Sequence, residues 1–172
     1  MRNIVFILLF ISLFTNIKAQ TPYTFSKDEK TGGLVYKGVI NKYTLINNPL
    51  FSWYASGQSS YKPDTAVVNA FERHKTSVHF VIFGGTWCDD TQYILPRFFK
   101  IQELSGFPDS AISFMGVDRD KNTIGNISKA FGITNVPTII IMKEGKESGR
   151  VVEYGKTGKW ETEIAAFMEA AK

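Results

Sequence analysis

Val78-His79-Phe80-Val81-Ile82-Phe83 is a nearly continuous apolar run of strand length, and it leads into Gly84-Gly85-Thr86-Trp87-Cys88-Asp89-Asp90-Thr91. Such a run, bounded by glycines and rich in aromatic and β-branched residues, predicts a strand buried on both faces. Over residues 91–104, Tyr93, Ile94, Leu95, Phe98, Ile101 and Leu104 fall near helical spacing. This predicts a helix with Pro96 inside it, where the missing donor should produce a kink. Cys88 therefore lies between a buried strand and a helix N-terminus, whose free N–H groups favour an anion. It is the one cysteine in 172 residues. That count excludes an internal disulfide framework, a CxxC redox pair and a thiolate zinc cluster.

The pattern continues on both sides of this stretch. Upstream, Asp64 or Thr65 caps a helix carrying Val67, Val68 and Phe71. Downstream, residues 111–117 read as a second buried strand and residues 123–131 as a helix ended by Gly132. Val136-Pro137 introduces a strand over residues 138–142, and Glu144-Gly145-Lys146 turns the chain into a last strand over residues 150–154. Residues 159–171 close as an amphipathic helix with Ile164, Phe167 and Met168 inward. Apolar strands alternating with helices predict an α/β fold, and the final hairpin makes the sheet a mixed one. Residues 20–63 are less regular. Residues 27–33 read as a solvated turn, residues 34–40 as an interrupted strand, and Trp53, Tyr54 and Tyr61 as aromatics that pack this extension onto the main domain.

The first residues read as an address label. Met1-Arg2-Asn3 is followed by 11 apolar or nearly apolar residues, 4–14, and then by a polar stretch with Ala19 as a small cleavage residue. A helix of that length spans roughly 16 Å, about half a bilayer's hydrocarbon core. The expectation is a cleavable signal over residues 1–19 with no membrane anchor after cleavage, in a protein that is exported: periplasmic in a Gram-negative cell, otherwise secreted. The formal charge is +4; loss of Arg2 and Lys18 leaves 18 basic residues against 16 acidic ones. That small excess gives no reason to expect nucleic acid as a partner.

Trp87-Cys88 after an apolar strand, Val136-Pro137-Thr138 leading into the next, and a closing hairpin plus helix together resemble the thioredoxin superfamily over residues 64–172. The resemblance implies a thioredoxin-like mixed sheet flanked by helices, to which residues 20–63 add an N-terminal extension. It also implies that Pro137 is cis and lies beside Cys88, that the Val136 backbone, Thr138 and Trp87 meet an extended substrate, and that Trp87 shields the sulfur. The departures are as informative. Thr91 stands at the position of the resolving cysteine, and Ile82 at the position of the buried acid that serves it. Gly85 replaces the threonine of peroxiredoxin-like sites.

The candidate catalytic set is therefore Cys88, Trp87, Thr91 and Pro137, with Thr91 expected to hydrogen-bond the sulfur. Asp89 and Asp90 are candidate modulators of the thiol pKa, opposing the helix terminus; their plainer role is to cap and stabilise the helix start. No cofactor and no metal are expected, because Cys88 with two aspartates and no neighbouring histidine is a poor ligand set. His74 and His79 read as structural or surface residues. The leading functional expectation is monothiol exchange. Cys88 would form a mixed disulfide with a protein or small-molecule thiol or disulfide, and an external thiol would resolve it. The alternative is a redox-inactive binding or chaperone-like module on the same fold.

Overall fold

The computed structural model describes residues 22–170. The segment read as an export signal, residues 1–19, lies outside the described residues. A six-stranded sheet has the spatial order β1-β2-β4-β3-β5-β6. Its strands are β1 (Tyr23–Lys27), β2 (Leu34–Ile40), β3 (His79–Gly84), β4 (Ile112–Gly116), β5 (Thr138–Lys143) and β6 (Lys146–Val152). β3 and β4 are parallel and every other pair is antiparallel, so the sheet is mixed, as the pattern of elements predicts.

The helices are α1 (Lys42–Ile46), α2 (Ser52–Ser59), α3 (Thr65–His74), α4 (Asp89–Ser105), α5 (Ile127–Ala130) and α6 (Trp160–Ala170). Successive side chains of a strand point to opposite faces, and β3 uses both. Phe80 and Ile82 enter the large core with Phe71 of α3, Phe98 of α4 and Ile164 of α6. Phe83 enters a smaller core with Val117, Ile133, Val136 and Ile140. Phe80 stacks on Phe71 at 5.2 Å between centroids and meets Phe98 edge-on at 5.1 Å. These are the arrangements that the ring quadrupole favours.

Four differences from the sequence reading have physical reasons. Strand β1, YTFSK, has no apolar pattern to mark it, because its side chains are almost all exposed; backbone pairing with β2 holds it, together with the Tyr23 ring packed edge-on against Tyr36. Strand β6 begins at Lys146 and ends at Val152 because its first residues lie on the open edge, where polar side chains are tolerated. The helix expected over residues 123–131 is broken into a 3-10 turn at Ile124–Asn126 and the short α5, since Gly125 and Asn126 both take left-handed φ values, 59° and 57°. Helix α4 starts at Asp89 and runs through Pro96, whose ring packs so closely on α2 that a Cβ at Gly57 would lie 2.8 Å from it.

Residues 22–40 are part of the sheet rather than an appendage to it. Residues Gly38 to Ile40 of β2 pair with Gly116 to Phe114 of β4. A Cβ at Gly116 would lie 2.5 Å from the Tyr36 carbonyl oxygen, so only glycine lets the two backbones approach this closely.

Candidate functional site

The site forms where β3 ends. Residues 85–88 make a tight turn in which the Cys88 N–H donates to the Gly85 carbonyl at 2.9 Å. The Trp87 indole folds back over Gly85, where a Cβ would sit 2.6 Å from the ring. Its Nε1–H donates to the Val117 carbonyl at 2.9 Å, which ties the indole to the end of β4. Cys88 is the N-cap of α4, with extended φ and ψ, and its carbonyl accepts from the Gln92 N–H at 3.0 Å. The sulfur thus stands at the helix terminus, half-buried against the smaller core.

Across from it, the Val136–Pro137 peptide is cis, and the Cys88 sulfhydryl donates to the Val136 carbonyl at 3.2 Å. The structure thus brings together Trp87, Cys88, Val136 and Pro137 from segments about fifty residues apart (48 between Cys88 and Val136). Thr138 is nearly inaccessible, and its hydroxyl donates to the Asn135 carbonyl at 2.7 Å; it shapes the turn from within instead of facing a substrate. Thr91 does not have the role expected of it. Its side chain is 1% exposed, and its oxygen accepts the Gly85 N–H at 3.3 Å, stabilising the turn rather than the sulfur.

Asp89 and Asp90 occupy the first turn of α4, while the capping position belongs to Cys88 itself, which makes no side-chain cap bond. Carboxylates there stabilise the positive end of the helix. Asp90 also faces Tyr154, whose phenol is pushed up by burial first and by this carboxylate second. His79 is exposed at the start of β3, the opposite end of the strand from the site. Among the described residues, no group of three or more His, Cys, Asp or Glu is placed to hold a metal ion.

Three residues bordering the site carry no motif in the sequence. Thr86 is buried, and its hydroxyl donates to the Leu34 carbonyl at 2.6 Å and accepts the Tyr36 N–H at 3.4 Å, so β2 grips the active turn directly. Arg119 lies over the Trp87 ring at 4.7 Å. Asp28 binds that guanidinium through three contacts: Nε to both carboxylate oxygens at 3.0 and 3.1 Å, and Nη2 to Oδ2 at 2.7 Å. Asp28 was read as part of a solvated turn, yet its side chain is 1% exposed. The Arg119 fork holds its carboxyl down to about 2, burial opposes this, and the Lys30 N–H adds to the lowering. Asp28, in turn, raises Arg119, with Cys88 and Asp89 as weaker contributors.

The thioredoxin family model matches residues 64–170. The chain belongs to the thioredoxin family. It is 29% identical over 80 residues to a thioredoxin of Staphylococcus saprophyticus, covering 46% of this chain and 72% of that one. It is 32% identical over 92 residues to the chloroplastic thioredoxin Y of rice (Oryza sativa subsp. japonica), covering 54% of this chain and 52% of that one. Among solved structures, an HIV epitope-scaffold protein shares the fold with a TM-score of 0.56 at 17% identity, over 78% of this chain and 94% of that one. Asp28, Leu34 and Tyr36 all lie outside the span that the thioredoxin model matches.

Proposed function

We propose that this thioredoxin-family chain takes part in thiol–disulfide exchange through Cys88 alone, by a monothiol route, in an exported protein. The observation that carries the reading is the placement of the sulfur. It is half-buried at the N-terminus of α4 with its S–H on the Val136 carbonyl beside Pro137. The thiolate is the attacking form.

In the forward step the Cys88 thiolate attacks one sulfur of a partner disulfide. A Cys88–partner disulfide forms, the partner's own S–S bond breaks, and the second partner sulfur leaves as a thiolate that takes up a proton. With Thr91 in place of a second thiol, the chain has no internal group to displace the partner. An external thiolate attacks the partner's sulfur in the mixed disulfide, forms a new disulfide with it and releases Cys88 as thiolate. Trp87 and the Val136–Pro137 turn form the walls between which the partner sulfur approaches. The partners are thus protein or small-molecule thiols and disulfides, in keeping with the family.

The test is to express the full chain in an exporting host, quench thiols with acid, and compare the wild type with Cys88→Ser by non-reducing electrophoresis and intact mass. The expected result is a reducible adduct on the wild type only, on a chain that begins at Gln20. A wild type whose Cys88 stays free and fails to react with added disulfide overturns the exchange reading and leaves the binding module. A chain retaining residues 1–19 overturns the export reading.

A further inference from the structure

The loop after β4 and the turn between β1 and β2 are joined more firmly than an extension covering one sheet edge requires. Lys37 pairs with Asp118 at 3.1 Å, and Asp28 holds the neighbouring Arg119 at 2.7 to 3.1 Å. The β1–β2 turn is built around Asp28. Its N–H donates to the Gly33 carbonyl at 2.7 Å, its carbonyl accepts from Gly32 at 2.8 Å, and its carboxylate accepts from Lys30 at 2.9 Å. A carboxylate this deeply buried is stable only with such partners. Its orientation also fixes the plane of the Arg119 guanidinium, because a two-toothed contact sets direction as well as distance.

The guanidinium carbon so placed lies over the Trp87 ring, 4.7 Å from its centre, and Trp87 is the residue before Cys88. The indole is then held by Arg119 over its face, by the Val117 carbonyl at its nitrogen and by close contact with Gly85, with the Lys121 ammonium over the ring at a longer 5.9 Å. We propose that Asp28 and Arg119 are positioning residues for Cys88: the β1–β2 turn clamps the guanidinium onto Trp87, and the clamped indole fixes the wall along which a partner sulfur reaches the thiol. The N-terminal hairpin is on this account a working part of the site. The proposal rests on the exchange reading for its rate and on geometry alone for its clamp.

The two parts are separable by experiment. In full-length protein, Arg119→Lys, Arg119→Gln and Asp28→Asn are each made with Trp87 present and with Trp87→Leu. Acrylamide quenching of Trp87 is taken as the difference between each protein and its Trp87→Leu counterpart. The rate of Cys88 with a small aromatic disulfide is followed by release of the coloured thiol. Loss of one cation–aromatic contact predicts a change of about threefold to tenfold in the rate when Trp87 is present. It also predicts more accessible Trp87 emission, and almost no rate effect in the Trp87→Leu background, which has no ring for the guanidinium to lie on.

Arg119→Lys keeps the charge but cannot reproduce the fork, so it should behave like Arg119→Gln. If Arg119→Lys matches the wild type in both readouts, charge rather than clamping is at work, and the proposal is overturned. Equal rate effects with and without Trp87, or altered quenching with unaltered rates, overturn it as well. Should Asp28→Asn fold poorly, the Arg119→Lys comparison carries the test. Should the wild type itself not react, the exchange reading falls and the positioning role falls with it; a reactive wild type whose rate none of the variants changes overturns the positioning role alone.

Discussion

Replacing Gly85 with alanine tests the packing of the site at its tightest point. Gly85 does not use the left-handed region that favours glycine; among the described glycines with positive φ it is absent, so alanine meets no backbone penalty there. What alanine meets is the Trp87 ring. Its Cβ would lie 2.6 Å from Cε2, 2.7 Å from Nε1 and 2.9 Å from Cζ2. Normal carbon contacts are about 3.5–4.0 Å, so the indole must retreat by roughly an ångström. A rigid ring cannot relieve this by a rotation at its tip. Retreat disturbs the 2.9 Å bond from Nε1 to the Val117 carbonyl and the 4.7 Å contact with Arg119.

Overpacking of this kind costs about 1–3 kcal/mol, which includes a lost hydrogen bond of about 1 kcal/mol. At a urea slope of about 2 kcal/mol per molar, the unfolding midpoint should fall by roughly 0.5–1.5 M. The decisive measurement is the double-mutant cycle with Trp87→Ala. If the clash is the cause, Gly85→Ala becomes nearly neutral once the ring is gone, with a coupling of at least about 1 kcal/mol. The same cost in both backgrounds would refute the reasoning, because the penalty would then come from something other than Trp87.

The Asp28 carboxyl, held from 3.8 down to about 2 chiefly by Arg119, makes stability pH-dependent. Because its folded value is depressed, this contribution is full above the unfolded value and is lost as pH falls through the folded one. Urea titrations should therefore show the gap between wild type and Asp28→Asn constant above about pH 5 and closing as pH falls through 3.8 to about 2; a gap independent of pH refutes the assignment. Thr91→Val keeps the shape of a 1% exposed side chain but leaves the Gly85 N–H without its 3.3 Å partner. It should cost about 1–3 kcal/mol in denaturant unfolding, and a change below about 0.5 kcal/mol would mean that another group takes the donor.

The parts of the site that are contiguous in sequence are also the legible ones. The apolar run into Gly84, the cysteine at a helix start and the Val136-Pro137 step each report a local preference: burial on both faces of a strand, a capping position, a turn before a strand. Over residues 123–131 the apolar spacing suggests one continuous helix, whereas Gly125 and Asn126 accept left-handed φ at little cost and break it. Strand β1 was missed because four of its five side chains face solvent. Nothing in the spacing of YTFSK reports a pairing made by backbone groups and by the Tyr23 and Phe25 rings against Tyr36, a residue of another strand.

By itself the sequence determined the α/β class, the position of the one thiol between β3 and α4, and the absence of a second thiol to resolve it. These are properties of neighbouring residues, and a chain's periodicity records them directly. Only the tertiary structure decided that Asp28 is buried, that Arg119 lies on Trp87, that Thr86 is gripped by β2 and that Thr91 serves the Gly85 N–H rather than the sulfur. Asp28 and Arg119 are 91 positions apart, and each alone reads as an ordinary solvated charge. Burying either without the other would leave an uncompensated charge in a low-dielectric setting. Their roles therefore exist only once the sheet has brought the two ends together.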